Sequence, residues 1–279
     1  KTLPNINPSA EVNKITSFIK LVLKEQGFEN VVIGVSGGID SATSFSLLEK
    51  SIPSKNIFVA HLYYFKSQIH LVKPMLEKAP LRASFAEVAT KAEQGFEGQA
   101  NIPSKNIYNI SIKDSVDSLE KASSLTKNSK DYKERLGNIM ARVRMIILYD
   151  LAKKHNALVC GTENKSELHL GYFTRFGDEA SDFEPIQHLY KTQIYTLAKY
   201  LGVPQNIIDL PPTAGLWTGQ TDESDFGFSY KEADNVLFLY FEKKNSLSQI
   251  LSKGFPNAKK IIDRAHKNSF KHHLPYVIK

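Results

Sequence analysis

Two hundred and seventy-nine residues, 42% of them apolar, are enough to bury the core of one large domain, so disorder is not the expected state. Charged residues interrupt every apolar run before it reaches the roughly 18 residues of a membrane-spanning helix, and the opening KTLPNINPSAEV lacks a signal peptide's apolar stretch, so a cytoplasmic protein is expected. The excess of 36 Lys and Arg over 29 Asp and Glu suits an anionic partner, nucleotide or nucleic acid, while a single cysteine, Cys160, excludes an intrachain disulfide framework and a cysteine-based zinc knuckle.

In chain order, Val12, Ile15, Ile19, Val22 and Leu23 recur at helical spacing and predict a helix from Ala10 to Gln26, capped by Ser9 and ended by Gly27. The β-branched run Val31 to Val35 predicts a strand covered on both faces. A helix from about Asp40 to Lys50 follows, then a strand from Ile57 to Leu62 and a poorly patterned stretch to about Gly98. Next come a strand from Ile107 to Ile112, an exposed helix and loop over 113–130, a long helix over about 131–155 and a strand from Ala157 to Cys160. Strands alternating with helices imply a parallel sheet with helices on both faces. IPSKNIF at 52–58 returns as IPSKNIY at 102–108, one strand-entry turn used twice. Residues 211–227, rich in Pro, Gly and acidic side chains, read as a long loop, and about three short helices follow from Ser229.

The most informative stretch is Gly34-Val35-Ser36-Gly37-Gly38-Ile39-Asp40-Ser41, between a buried strand and a helix. Adjacent glycines let the backbone approach a polyphosphate, the first N–H groups of the helix point at it, and Ser36 and Ser41 add hydroxyl donors. Asp40 would repel that ligand unless a cation lay between them, which predicts a Mg²⁺ bridge. Neither GxxxxGK[ST] nor GxGxxG is present, so the cradle is neither the usual P-loop nor a dinucleotide fingerprint. It resembles the PP-loop of ATP pyrophosphatases, which release pyrophosphate and transfer AMP.

A second cluster follows the strand at 157–160: Gly161-Thr162-Glu163-Asn164-Lys165-Ser166-Glu167, then Gly171 to Asp178. If the first and fourth strands are neighbours, this loop faces the glycine loop, and Asp40 and Glu167 could hold Mg²⁺ from opposite sides. A solvated surface glutamate is the alternative. On the long helix, Leu136, Met140, Val143, Ile147 and Leu151 form the apolar stripe, which places Asn138 and Arg142 together on another face, as an anion-binding pair or a solvated flank. Lys191 shares a helical stripe with Ile194 and Ala198 in a first turn, where the dipole disfavours a cation, so it needs an anionic partner unless it snorkels to solvent.

SGGIDS, GNIMARVRM, GTENKSE, GYFTRFGD, a DFEPI…LYKTQ run, PPTAGLW and QTDESDFGFSY stand in an order and spacing that resemble the ammonia-dependent NAD synthetases, over about residues 12–62 and 131–279. That resemblance implies a single domain with a Rossmann-like, doubly wound α/β fold and a five-stranded parallel sheet flanked by helices. The α/β core would occupy about 10–210, a mobile active-site loop 211–228 and a helical extension 229–279. It implies ATP-dependent amidation of deamido-NAD with free ammonia, through an NAD-adenylate, giving NAD, AMP and pyrophosphate in the last step of NAD biosynthesis. It further implies Mg²⁺ as cofactor and a homodimer, with no membrane and no nucleic-acid partner.

Carried over position by position, Gly34 to Ser41, Thr162, Lys191 and Thr213 look like ATP-binding positions. Asn138, Arg142, Arg175, Asp178, Asp182, Asp222, Glu223, Phe270 and Lys271 look like deamido-NAD positions. Asp40 and Glu167 match the metal ligands, and Asp40, Asp178 and Lys191 are the expected catalytic residues, with Asp178 positioning the nitrogen. Arg175 stands where lysine is usual, Phe270 replaces the histidine of a His-Lys pair, and Tyr63-Tyr64-Phe65-Lys66 stands where a proline-containing loop usually helps form the adenine pocket. Two other functions compete: another PP-loop adenylating ligase, whose thiolating members rely on cysteines, and a nucleic-acid-binding protein. The latter would use the tail from Lys253 to Lys279, where Lys and Arg interleave with His266, Phe270, His272, His273 and Tyr276.

Overall fold

A computed structural model describes residues 2–65 and 102–272. Helix α1, Pro8–Gln26, starts earlier than the apolar spacing predicts. Asn7, not Ser9, is its cap, accepting the Ala10 N–H at 3.2 Å, and Pro8 fills the first turn, where a missing N–H costs nothing. Gly27 closes it in the left-handed conformation, as expected.

Four strands follow in the predicted places: β1 Asn30–Gly34, β2 Ile57–Tyr63, β3 Ile107–Ser111 and β4 Ala157–Cys160. They run parallel in the order β3-β2-β1-β4, with Val31 opposite Ile57 on one side and Leu158 on the other. Among the described residues the sheet therefore has four strands rather than five. Beyond β4 the described chain returns beside it at Phe183, through a single parallel bridge to Cys160. Pro185, two residues on, has no N–H to extend that ladder.

Alternation along the strands divides the core. Val31, Ile33, Val35, Ile57, Val59 and Leu158 face α1, α2 (Ile39–Ser51) and the helix at Lys191–Leu201, whereas Val32, Phe58, Ala60 and Val159 face the helices at Lys113–Ala122 (α3) and Tyr132–His155 (α4). Leu136, Met140, Val143 and Leu151 make α4's buried stripe, with Ile147 at its margin. The repeated strand-entry turns interlock: Asn106 in the second donates to the carbonyls of Lys55 and Ile57 in the first, at 2.9 and 3.1 Å. Cys160 is buried, and burial raises its thiol pKa well above the ordinary value, as suits a packed strand residue.

After β4 come α5 (Lys165–Leu170), α6 (Lys191–Leu201) and α7 (Gln205–Ile208). The stretch expected to be loop through Gly227 instead ends in a helix, α8 (Asp222–Phe226), capped by Thr221, whose hydroxyl accepts the Ser224 N–H. Acidic side chains in its first turn match the helix dipole. Helices α9 (Tyr230–Leu237), α10 (Leu247–Leu251) and α11 (Ala258–Asn268) bury a separate cluster around Leu170 and Tyr190. Ile261, Ile262 and Ala265 are buried in it, so α11 is a packed amphipathic helix, while His273 and Tyr276 of the basic tail lie outside the described residues. No helix among the described residues is long and apolar enough to cross a membrane.

Candidate active site

Strand β1 neighbours both β2 and β4, so the chain leaves the sheet in opposite directions on either side of it, and the loops after β1 and β4 flank the crevice. In the loop after β1, Gly37 takes φ +88°, a conformation L side chains rarely adopt. Gly38 is the N-cap of α2 and no side chain caps that helix, leaving the N–H groups of its first turn available to an anion. Ser36 and Ser41 knit the loop together: the Ser36 N–H donates to Ser41 Oγ at 3.2 Å, and Ser41 Oγ donates to the Gly38 carbonyl at 3.0 Å. Asp40 projects from the same turn.

In the loop after β4, Asn164 caps α5 and forms a reciprocal box with Glu167, whose Oε2 accepts the Asn164 N–H at 3.2 Å. The Asn164 amide also donates to Asp40 Oδ1 at 3.0 Å, joining the two loops. Lys191, 2% exposed, donates to Asp40 Oδ2 and lies 3.6 Å from Glu167 Oε1, so the two carboxylates converge on one ammonium. Buried Asp222 supplies a third carboxylate, accepting from Tyr230 Oη at 2.9 Å.

Negative charge is in surplus here. Burial and the charge of Asp40 push Glu167 well above the ordinary carboxylate pKa, against the pull of Lys191. Burial alone would lower Lys191, but Asp40, Glu167 and Asp222 outweigh it and hold it above its ordinary value. Among the described residues no three acidic or histidine side chains close into a metal cage. Mg²⁺ needs none, because it takes one or two carboxylates and completes its shell with water and phosphate oxygens. The oxygen donors and surplus charge at Asp40 and Glu167 fit such an ion.

Helix α4 and the 171–178 loop form an adjoining wall. Asn138 and Arg142 both meet this loop: Thr174 Oγ1 donates to Asn138 Oδ1 at 2.7 Å, and Arg142 donates to the Arg175 carbonyl at 3.2 Å. Lys271 crosses from the C-terminal segment to the carbonyls of Gly171 and Phe173, at 2.7 and 2.8 Å. Asp178 keeps solvent-accessible surface, yet protein crowds its carboxyl and raises its pKa, while the Thr174 N–H at 2.8 Å and Arg144 pull it down.

Other expected residues are placed differently. Thr162 stands beside the end of β4, with its side chain partly buried. Exposed Thr213 accepts the Gly215 N–H at 3.0 Å, within its own turn. Asp182 gives one oxygen to the Val159 N–H at 2.7 Å, a bond that holds the chain beside β4. Glu223 accepts the Tyr230 N–H at 2.8 Å and so joins α8 to α9. Phe270 is exposed. Tyr64 donates to Asp117 at 2.9 Å, and Lys66, the last residue of the replaced adenine-pocket segment, lies outside the described residues.

Three features escaped the sequence reading. Asn164 links the loops, and its N-x-x-E capping spacing was there to be read. Arg144 donates to the Leu62 carbonyl at 2.9 Å, and burial lowers its pKa to about 10. Buried Glu163 and partly buried Glu184 form an acidic pair, in which the Glu163 N–H donates to Glu184 Oε2 at 3.0 Å. Nothing in their spacing announces that contact.

Residues 11–275 match the NAD synthase family model. An NH3-dependent NAD synthetase of Fusobacterium nucleatum is 36% identical over 270 residues, covering 96% of this chain and 94% of that protein. Among solved structures, an NMN synthetase from Francisella tularensis superposes with a TM-score of 0.74 at 30% identity, over 98% of this chain and 99% of the other. An NH3-dependent NAD synthetase from Campylobacter jejuni, in complex with nitrate, gives 0.72 at 29% identity, over 98% and 100%. With a family match spanning nearly the whole chain and a relative of this identity and coverage, the chain belongs to the NAD synthase family.

Proposed function

We propose that the protein makes NAD from deamido-NAD, ATP and ammonia, forming a carbon–nitrogen bond and releasing AMP and pyrophosphate. The observation that carries this reading is the convergence of Asp40 and Glu167 on Lys191 beside the uncapped first turn of α2. Two anionic reactants must meet, a nicotinate carboxylate and a triphosphate, and that needs both anion donors and positive charge. The loop from Gly34 to Ser41 holds the triphosphate through its N–H and hydroxyl groups, with Thr162, Thr213 and Lys191 as further ATP contacts. Mg²⁺ held by Asp40 and Glu167 would supply charge neutralisation of the phosphates.

Asn138, Arg142, Arg175 and Lys271 hold deamido-NAD against the glycine loop, with Asp182, Asp222, Glu223 and Phe270 at the margins of that site. One carboxylate oxygen attacks the α-phosphorus, the bond to pyrophosphate breaks, and an acyl-adenylate results. Ammonia then adds to the acyl carbon and AMP leaves with the bonding electron pair. Asp178 positions and desolvates the nitrogen, since a carboxylate is a weak base for ammonium near neutral pH. No covalent bond to the protein is required, consistent with the inert setting of Cys160. Exposed Phe18 and Leu21 on α1 and Ile146 on α4 supply apolar surface for the homodimer the family resemblance implies, and the chemistry suits the cytoplasm.

The likeness to an NMN synthetase favours one competing substrate, the nicotinate mononucleotide. Purified protein with Mg²⁺, ATP and ammonium, offered each substrate in turn, should show the higher kcat/KM with deamido-NAD and release AMP. A higher value with the mononucleotide would reassign the substrate, and release of ADP would reject the adenylation mechanism.

A further inference from the structure

Asp234, on α9, is fully buried, and its side-chain partners lie 42 and 68 positions away in the chain. Its Oδ1 accepts the Ser166 hydroxyl, and its Oδ2 accepts both the N–H and the hydroxyl of Thr192, at 2.8 and 2.7 Å. Ser166 Oγ in turn accepts the Lys191 N–H at 2.8 Å. One carboxylate thus ties together the first turns of α5 and α6, and the residues next to its partners are Glu167 and Lys191.

Burying a carboxylate that has no ion pair of its own among the described contacts is costly even with the Lys191 charge nearby, and a fold that needed only to pack α9 against α5 and α6 would do as well with an apolar side chain. Burial raises the Asp234 pKa to about 6, against the pull of Ser166 and Thr192. In return, the first turns of α5 and α6 are fixed by a single group. The hydrogen bonds of Asp234 go to Ser166 and Thr192, and no contact joins it to Asp40 or Glu167 among the bonds described.

We propose that Asp234 is a positioning residue for the adenylation step, holding Glu167 and Lys191 in register through Ser166 and Thr192. The inference rests on the reading of Glu167 and Lys191 as parts of the ATP site. Asn at this position keeps the volume but replaces one acceptor oxygen with an amide NH2 that faces donors, so the two helix ends lose their common anchor. A displacement of about 1 Å in groups that orient reactants costs roughly a hundredfold in rate.

The test uses the full chain in two half-reactions. Adenylation is followed as deamido-NAD-dependent exchange of pyrophosphate into ATP across a Mg²⁺ series, and amidation as single-turnover conversion of prepared deamido-NAD adenylate with ammonium. Asp234→Asn should lower the exchange rate roughly ten- to hundredfold and raise the half-saturating Mg²⁺ concentration, while amidation stays within about twofold of wild type. Equal losses in both half-reactions, or an unchanged exchange rate, overturn the inference and leave Asp234 a packing residue. Should Asp234→Asn not fold, Ser166→Ala and Thr192→Val each remove one hydroxyl donor while keeping the carboxylate, and are judged by the same split. Lys191→Ala is the control: if exchange survives in it, the reading of the ATP site fails, whereas its loss there with intact exchange in Asp234→Asn refutes only the role of Asp234.

Discussion

Lys191 and Asp40 lie 151 positions apart in the chain, yet the ammonium of one donates to the carboxylate of the other in the crevice between the loops after β1 and β4. With Glu167 3.6 Å from the same nitrogen, this single cation compensates two carboxylates. Removing one partner of such a buried pair costs far more than the pair contributes, because the remaining charge is left without compensation. Lys191→Met should lose about 3–5 kcal/mol of stability in the absence of divalent ions. Millimolar Mg²⁺ should then raise the Tm of the variant by more than it raises that of wild type, as an ion binding only the folded state must. Thermal denaturation with EDTA and with Mg²⁺ reads both effects, and equal Mg²⁺ shifts in the two proteins would argue against a cation site at Asp40 and Glu167.

Asp40→Asn removes the charge while keeping one acceptor for the Asn164 amide. The fold should survive, with adenylate formation falling by at least about a hundredfold, the scale of losing a group that stabilises charge in the transition state. Exchange of labelled pyrophosphate into ATP measures this directly. A wild-type exchange rate would take Asp40 out of the site.

Asp178 lies on a different loop from the glycine turn after β1, beside Arg144 and Lys271, whose charges both act on it or respond to it. Asp178→Asn should therefore depress amidation roughly ten- to a hundredfold and raise the KM for ammonium, with a smaller effect on pyrophosphate exchange. Equal loss in both half-reactions would refute its assignment to the nitrogen.

The sheet and its crevice were legible in the sequence because β-branched runs mark buried parallel strands and glycine marks the turn between β1 and α2. The meeting of Asp40 with Glu167 followed once β1 was placed beside β4. What stayed hidden has physical reasons. Among the described residues the bridge at Phe183 does not extend into a fifth strand, and Pro185, which has no N–H to donate, stands two positions beyond it. The Asn7-Pro8 start of α1 and the Thr221 cap of α8 were weaker cues than apolar spacing, which sets faces better than ends. Asp234 and Arg144 could not have been assigned from spacing, since their partners are distant in sequence: Ser166 by 68 positions and Leu62 by 82.

Gly161 carries a constraint that local sequence does not announce. A Cβ built there would lie 1.8 Å from Glu184 Oε1, so the Glu184 carboxylate occupies the space of the missing side chain at the end of β4. Gly161→Ala should cost about 1–3 kcal/mol through overpacking and displacement of that carboxylate from the Ser181 hydroxyl and the Glu163 N–H. Adding Glu184→Ala should recover more than half of the loss, which a double-mutant cycle in urea would measure. Additive losses would mean that the strain lies in the backbone instead.

Glu163 is 6% exposed, with Oε2 accepting from the Gln187 amide at 3.0 Å and Oε1 buried without a partner. Burial, then the charge of Glu184, pushes its pKa up to about 9, and burial pushes Glu184 up to about 8. A carboxyl raised in this way binds its proton more tightly folded than unfolded. Its contribution to stability is complete below the unfolded value near 4.5 and is lost as the pH climbs through the folded value near 9. Glu163→Gln keeps the shape and removes the ionisation, so the variant should match wild type at about pH 4.5 and exceed it at about pH 8.5 by several kcal/mol, on the order of ten degrees in Tm. Thermal unfolding across that range in the ligand-free protein is the measurement. A difference between the two proteins that stays constant with pH would show that Glu163 ionises at its ordinary pKa in the fold, and a difference of opposite slope would mean that an unidentified cation compensates it.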